Sequence, residues 1–360
     1  MAQTLEHLAR KLKVSRRTVS RAISGHPYVS ENKRNRILKY VEKYKFYKNR
    51  NASSLVSRRV HVLGLLFPKN ADSESNHYVA EVIKGVTHAA KFKGFQVMCQ
   101  AQSPYDYDAC LEWVRSKAVG GILMVAPSAE CEPMIRALLK EGVPLTVLNA
   151  QYRAVDSFTC DNFAGGMAAT RHLIETGKKK IAFLHGHPSW MDPEERFRGY
   201  RQALKDAGLE FNEEWVAHAY FESGAAEQCV DRLLSLRVRP DAIFAANDHM
   251  AIGAIHAIKK RKIKIPEEIA VIGFDDLPVC SFSLLEPTIS SVTQPFEAMA
   301  KAASARLIDK ISLQGKPAAR NGGGQIFEAH LAPRGSTLAG YIPPVRGKIP
   351  ETSVQLFNLS

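Results

Sequence analysis

The chain has 360 residues, of which 45% are hydrophobic and 24% charged; this is an ordinary globular composition, too long for one core, and it predicts a small module joined to a larger body. No apolar run approaches the ~20 residues that span a bilayer, and the opening Met1-Ala2-Gln3-Thr4-Leu5-Glu6 lacks the segments of a secretory signal, so a cytoplasmic protein without a membrane partner is expected. The whole net charge of +13 lies in residues 1–60, which hold 16 Lys and Arg against 3 Asp and Glu, and a cation cluster this local points to nucleic acid because it releases phosphate counterions.

In chain order, Thr4 is placed to cap a first helix with Leu5, Leu8, Ala9 and Leu12 on one face. Ser15 caps a second, Arg16 to Ile23, whose Val19, Ala22 and Ile23 turn inward while Arg16, Arg17, Ser20 and Arg21 form the other face. Arg17 and Arg21 are a like-charge i, i+4 pair costing on the order of 0.2–0.5 kcal/mol, which an external anion relieves. Gly25-His26-Pro27 stops this helix, Ser30 caps a third, and Ile37, Leu38, Val41 and Tyr44 give it a buried stripe. The reading is a three-helix helix-turn-helix unit over residues 1–48 with the second helix as groove reader. A disordered basic arm is the plain alternative, and helical periodicity with caps argues against it.

Residues 49–59 read as a linker. From Val60, apolar strand candidates alternate with helical patterns: Val60 to Phe67, Phe95 to Cys99, Gly121 to Val125, Pro144 to Leu148, Lys180 to Leu184, Ala242 to Ala245 and Ile269 to Gly273. Such strands belong to parallel sheets covered on both faces, an α/β, doubly wound body. Two lobes are expected, about 60–160 and 163–290, with a strand and helix within 289–328 crossing back to complete both. The body runs over 60–340, and a tail, 341–360, lacks a sustained heptad. The helix after the first strand, with Val79, Val82 and Val86, is expected at a dimer face.

Ligands of open α/β sheets sit outside the carboxyl ends of strands, so the polar loops there line a cleft. These loops hold Asn70, Asp72, Ser73, Asn76, His77 and Tyr78, then Ser128, Asp161 and Asn162. In the second lobe they hold His185, His187, Trp190, Arg196, Tyr220, Phe221, Asn247, Asp248, Asp275 and Asp276. Asp248 and Asp276 have a plain alternative as helix caps, Trp190 as a packed lid, and His185 and His187 as ordinary loop histidines. The six cysteines are scattered singly, which favours reduced thiols over a metal or disulfide. No nucleophile elbow, phosphate loop or zinc-protease motif occurs, and neither enzyme nor cofactor is expected.

The run Val14-Ser15-Arg16-Arg17-Thr18-Val19-Ser20-Arg21-Ala22-Ile23-Ser24-Gly25, followed by Val29-Ser30 and much later by Pro333-Arg334-Gly335-Ser336-Thr337, resembles the lactose repressor/galactose repressor (LacI/GalR) family of bacterial transcription regulators over roughly residues 4–338. The resemblance implies a helix-turn-helix head and a hinge helix, followed by a two-lobed, periplasmic-binding-protein-like body. It also implies a homodimer, with a tetramer left open, on a pseudo-palindromic double-stranded DNA operator. Arg16 and Arg17 then read base edges and Arg21 a base or backbone, while Ser15, Thr18 and Ser20 donate to phosphates. Asn49 and Arg50 fall at the hinge and Leu55 at its minor-groove wedge; Lys48 departs from the family's frequent proline. Arg196, Asn247 and Asp275 fall at effector contacts, joined in the expected site by His77, Tyr78, Ser128, Asp161, Trp190 and Phe221. An arginine, an amide and a carboxylate suit vicinal hydroxyls and an aromatic ring suits a sugar's CH face, so a sugar or sugar derivative is expected. The expected protein is a repressor controlled by that effector; the rivals are the same role under a phosphoprotein corepressor and a sugar-binding transport protein.

Overall fold

Leu8, Ala9 and Leu12 of α1 (Leu5–Leu12), Val19 and Ala22 of α2 (Arg16–Ile23), Val29, and Ile37 of α3 (Glu31–Lys43) close a small apolar core. This head belongs to the first of two compact units, Met1–Val60 and His61–Ser360. The computed structural model describes residues 5–23, 27–44, 60–68, 76–102, 106–281, 286–313 and 322–342. The turn between α1 and α2 is set by Lys13, whose φ of 52° ends α1 while Val14 N donates back to Ala9 O at 3.1 Å, the pattern of a left-handed helix stop. Ser15 Oγ then accepts from Thr18 N at 3.1 Å and starts α2. Arg36 ties α3 to the end of α1 by donating to Leu12 O at 2.7 Å.

Two expectations for the head are corrected. Ser30 stands at the N-cap of α3 but its side chain makes no capping bond. Leu38 is 40% exposed, because a 3.6-residue period aligns Ile37 with Tyr40 and Val41, which pack on the core, and leaves position 38 about 100° off that line. Thr4, Gly25, His26 and the hinge positions Asn49, Arg50 and Leu55 lie outside the described residues.

In the second unit, β1 (Val62–Pro68), β2 (Gln96–Gln102), β3 (Gly121–Val125), β4 (Leu145–Leu148) and β5 (Asp156–Cys160) join β11 (Gly324–Phe327) in a parallel sheet of order β11-β5-β4-β3-β1-β2. A second parallel sheet has the order β7-β6-β8-β9, from β6 (Ile181–His185), β7 (Val216–His218), β8 (Ala242–Ala245) and β9 (Ala270–Ile272). Helices α4 (Asn76–Lys93), α5 (Tyr107–Arg115) and α6 (Glu132–Lys140) belong to the first lobe, and α7 (Asn162–Glu175), α8 (Met191–Asp206), α9 (Ser223–Leu233) and α10 (Asp248–Lys260) to the second. The chain returns through β10 (Ser291–Thr293), antiparallel to β12 (His330–Ala332), and through α11 (Phe296–Ser312). Leu63, Leu65, Leu123 and Val125 pack with Met299, Ala303 and Leu307 in one core, so the returning helix completes the first lobe. Among the described residues no helix is long and apolar enough to cross a membrane.

Strands β5, β7 and β12 escaped the apolar-run criterion, while β10 and β11 fall within the expected crossing segment 289–328. In β5 the sequence Asp-Ser-Phe-Thr-Cys is mostly polar, with Phe158 and Cys160 as its apolar residues, yet all five are buried between β4 and β11. Val82 and Val86, expected at a dimer face, are fully buried in the first-lobe core with Met299 and Ala300 of α11, and Val79 packs on the same cluster. Periodicity identifies an apolar face but not its partner, and here the partner comes from 210 or more residues later in the same chain.

That returning segment is fastened by Asp156, wholly buried on β5, which accepts from Arg306 Nε at 2.7 Å and Gly323 N at 2.8 Å and pairs with Lys310 Nζ at 2.8 Å. Burial pushes this carboxyl up, and the bonds from Lys310 and Arg306 outweigh it, so the net shift is downward. Asp156→Ala removes the counter-charge of the nearly buried Lys310, which keeps only neutral acceptors such as Leu145 O at 2.9 Å, and is expected to cost about 3–5 kcal/mol, read as a lower melting temperature of the full chain. A carboxyl with a lowered folded pKa contributes stability above its unfolded value of about 4 and loses it as pH falls through the folded value. The wild-type and variant melting temperatures therefore converge below about pH 4.

Candidate functional site

In the head, Arg16 and Arg17 are exposed at the start of α2, and Ser20 and Arg21 are partly buried. The inward face, Val19 and Ala22, holds the helix against α1 and α3, so these cations project from a rigid support. Ser15 and Thr18 are engaged with each other, Oγ to Oγ1 at 2.9 Å, as well as through the cap. The helix has no acidic residue in its first turn, leaving its N-terminal amides and the two arginines to an anion.

In the body, a cleft open to solvent lies at the carboxyl ends of strands from both sheets, where open α/β sheets place their ligands. From the first lobe come Tyr78 in the first turn of α4, Ala126 and Pro127 after β3, and Asn149 directly after β4. Tyr78 donates to Asn149 Oδ1 at 2.9 Å and meets Phe296 edge to face, ring centroids 4.8 Å apart. From the second lobe come Trp190, Asp192, Pro193 and Arg196 around the start of α8, Phe221 after β7, Asn247 and His249 after β8, and Asp275 and Leu277 after β9. Gln294 and Phe296 reach the cleft from the crossing segment.

Arg196 is 4% exposed. Its Nε donates to Asn162 Oδ1 at 2.9 Å, its Nη1 donates to Ala246 O and lies 3.6 Å from Asp275 Oδ1, and the guanidinium stacks 3.9 Å from the Phe274 ring centroid. Close helix packing makes this placement possible: a Cβ on Gly166 of α7 would lie 2.3 Å from Arg196 O, and one on Gly199 of α8 would lie 2.3 Å from Phe163 O. Asp275, at φ 107°, also accepts from Gln294 Nε2 at 2.7 Å. Burial pushes its carboxyl up to about 6 against the pull of Arg196 and Gln294.

Asp192 links the lobes. It accepts from Asn149 Nδ2 and from Thr159 Oγ1, each at 3.4 Å, and Ser189 O nearby accepts from Ala129 N at 3.0 Å. Burial raises its carboxyl to about 6, opposed by Arg196 and these donors. On the second-lobe side of the cleft, the rings of Trp190 and Phe221 stack with centroids 5.2 Å apart.

Of the nine effector positions read from the sequence, Tyr78, Trp190, Arg196, Phe221, Asn247 and Asp275 line this cleft and His77, Ser128 and Asp161 do not. His77 lies in the first turn of α4 rather than in a loop, one residue and thus about 100° of turn from Tyr78. Ser128 is buried with its hydroxyl 3.7 Å from Cys131 Sγ. Asp161 caps α7, accepting from Ala164 N at 2.8 Å, while its neighbour Asn162 holds Arg196. The cap on α10 is Asn247, not Asp248: Asn247 Oδ1 accepts from Met250 N at 2.9 Å, which leaves its amide nitrogen for the cleft. Asp248 is wholly buried, accepting from Leu277 N at 2.7 Å and Ser291 Oγ at 2.6 Å, and burial followed by repulsion from Asp275 raises it to about 8. Asp276 caps nothing either; it pairs with Arg334 at 2.7 Å. His185 is buried beside Glu194, and His187 accepts from Ser189 N. Asn70, Asp72 and Ser73 lie outside the described residues.

Sequence reasoning missed Asn149, Asp192, Gln294 and Phe296. Asp192 carried a signal: it stands four residues before Arg196 and therefore on the same helix face. Asn149 follows a strand directly, as the recognised loop residues do.

Comparison with known proteins agrees with this arrangement. Residues 4–49 match bacterial regulatory proteins of the lacI family and residues 170–337 match a periplasmic binding protein-like domain. The HTH-type transcriptional regulator CelR of Thermobifida fusca is 31% identical over 339 residues, 92% of this chain and 98% of CelR. The probable HTH-type transcriptional repressor ExuR of Bacillus subtilis (strain 168) is 29% identical, covering 86% of this chain and 92% of ExuR. A solved CelR–cellobiose complex aligns over 93% of this chain and 99% of its own with a TM-score of 0.70 at 29% identity. The lac repressor dimer bound to operator and the anti-inducer ONPF shares the fold, with a TM-score of 0.80 at 22% identity over 94% of this chain and 100% of its own. With its helix-turn-helix head and two-lobed body in this order, the chain belongs to the LacI family of bacterial regulatory proteins.

Proposed function

We propose that the protein is a transcription repressor, not an enzyme, that binds a pseudo-palindromic operator as a homodimer in the cytoplasm and is controlled by a carbohydrate effector held in the cleft. The observation that carries the reading is the convergence of Asn247, Asp275 and Asn149 from strand ends of two lobes, and of Arg196 from α8, on one aromatic-lined cleft, in a chain whose head presents Arg16 and Arg17 on a supported helix. Donors and acceptors so placed pair with vicinal hydroxyls, and the stacked rings cover an apolar sugar face. A relative, CelR, has been solved with cellobiose. The coupling runs through lobe closure, since Asn149 and Ala129 of one lobe bond Asp192 and Ser189 of the other; an effector that binds one closure state better shifts the protein toward it.

Linkage supplies the test. A carbohydrate that changes operator affinity has its own affinity changed by the same factor when operator is present, about 5–150-fold for typical couplings. Calorimetric titration with and without operator reads this, and equal affinities in the two titrations remove the cleft from control of DNA binding.

A further inference from the structure

Charge in the cleft is out of balance. Among the described residues that line it, Arg196 is the one Lys or Arg, against two carboxylates, Asp192 and Asp275. Arg196 donates through Nε to Asn162 and through Nη1 to Ala246 O, lies beside Asp275 and stacks flat on Phe274, so its charge is already shared with Asp275. Asp192 accepts from neutral amide and hydroxyl donors at 3.4 Å and shares the field of Arg196 with Asp275. Aromatic faces surround these carboxylates, with Trp190 stacked on Phe221 and Tyr78 set against Phe296. Carboxylates combined with aromatic faces are the chemistry of ammonium recognition, since ring quadrupoles and anionic oxygens both attract a cation. An incoming carboxylate or phosphate instead meets like charge from Asp192 and Asp275, while Arg196 already lies beside Asp275.

We propose that the effector is a polyol carrying a protonated amine, seated on Asp192 between the aromatic walls, and that sugar acids and sugar phosphates are excluded. This rests on the carbohydrate-effector reading above and narrows it to a chemical class. The groups that face Asp192 and Asp275 are Arg196 from α8, Tyr78 from α4, the Asn149 and Thr159 strand ends, Gln294 from the crossing segment and buried Asp248 behind Asp275, with His249 lining the same cleft. Burial pushes both cleft carboxyls up to about 6, so they are ionised at pH 7.5 and largely protonated at pH 5, whereas a sugar amine keeps its proton across most of that span.

The test uses the full chain and matched trios of probes: glucosamine, glucose and glucuronate, and the chitosan disaccharide, cellobiose and cellobiuronate, titrated by calorimetry. At pH 7.5 the amine of at least one trio is expected to bind at least tenfold more tightly than its neutral parent, and the acid not measurably. The amine-to-neutral ratio is expected to shrink severalfold at pH 5, and Asp192→Asn to shrink it at least fivefold at pH 7.5. The wild-type pH profile makes the same test should the variant fail to fold. A neutral sugar or an acid that binds as tightly as its amine overturns the proposal and leaves carbohydrate control standing. Absence of binding by every probe, while operator binding persists, overturns the carbohydrate reading as well.

Discussion

Asp275→Asn is expected to leave a folded protein that still binds operator and no longer responds to effector. Asn tolerates the positive φ of 107° as Asp does, and the amide retains an oxygen for Gln294 Nε2, now 2.7 Å from Asp275 Oδ1. What is lost is the anionic acceptor beside Arg196. Charge-assisted hydrogen bonds contribute about 1.5–3 kcal/mol, so effector affinity should fall roughly tenfold to 150-fold. Arg196 keeps its bonds to Ala246 O and Asn162, which limits the collateral damage to the cleft. Operator affinity without effector should stay within about twofold of wild type, since the head is a separate compact unit. Anisotropy titration with labelled operator, with and without effector, measures both quantities. A retained response would show that Asp275 serves only to hold Arg196.

Arg17→Ala is expected to weaken operator binding by about 1–3 kcal/mol and to relax preference at one base-pair position in each half-site. Arg17 is exposed near the start of α2, and the apolar side of that helix is locked into the head core by Val19 and Ala22. Its side chain therefore carries no packing role, and folding is untouched by its removal. Binding to random duplex should fall far less, and the salt dependence of operator binding should flatten by at most one phosphate's worth. Equal losses on operator and random DNA would reassign Arg17 to phosphate contact. Arg16→Ala follows the same logic at the neighbouring position.

Much of this architecture was legible because its signals are local. The helical periods of α1 and α2 and the Ser15 cap need only a few neighbouring residues to be recognised. The same holds for β3 and β8, apolar along their whole length and buried throughout. Strand-end loops could be named as the cleft because parallel sheets place ligands there, and Tyr78, Trp190, Arg196, Phe221, Asn247 and Asp275 do line it. The locality of those signals is also their limit. Asp161 and Ser128 occupy strand ends of the right kind, but one caps a helix and the other is buried against Cys131. For Asp161, a backbone amide three residues on competes for the side chain more effectively than a distant cleft does.

The residue sequence by itself determined the separation of a basic head from a neutral body, the helix-turn-helix order and the doubly wound class, because charge segregation and hydrophobic period survive in one dimension. Only the tertiary structure decided that Val82 and Val86 are core, that Asp156 fastens a strand and helix from far along the chain, and that Asp192 meets Asn149 across the lobes. Those decisions depend on the returning segment around α11 and on lobe apposition, where the partners are separated by 43 to more than 200 residues. Burial then gave these contacts their chemistry: the carboxyls of Asp192 and Asp275 are raised to about 6 by desolvation, a property of the enclosed space rather than of any spacing along the chain.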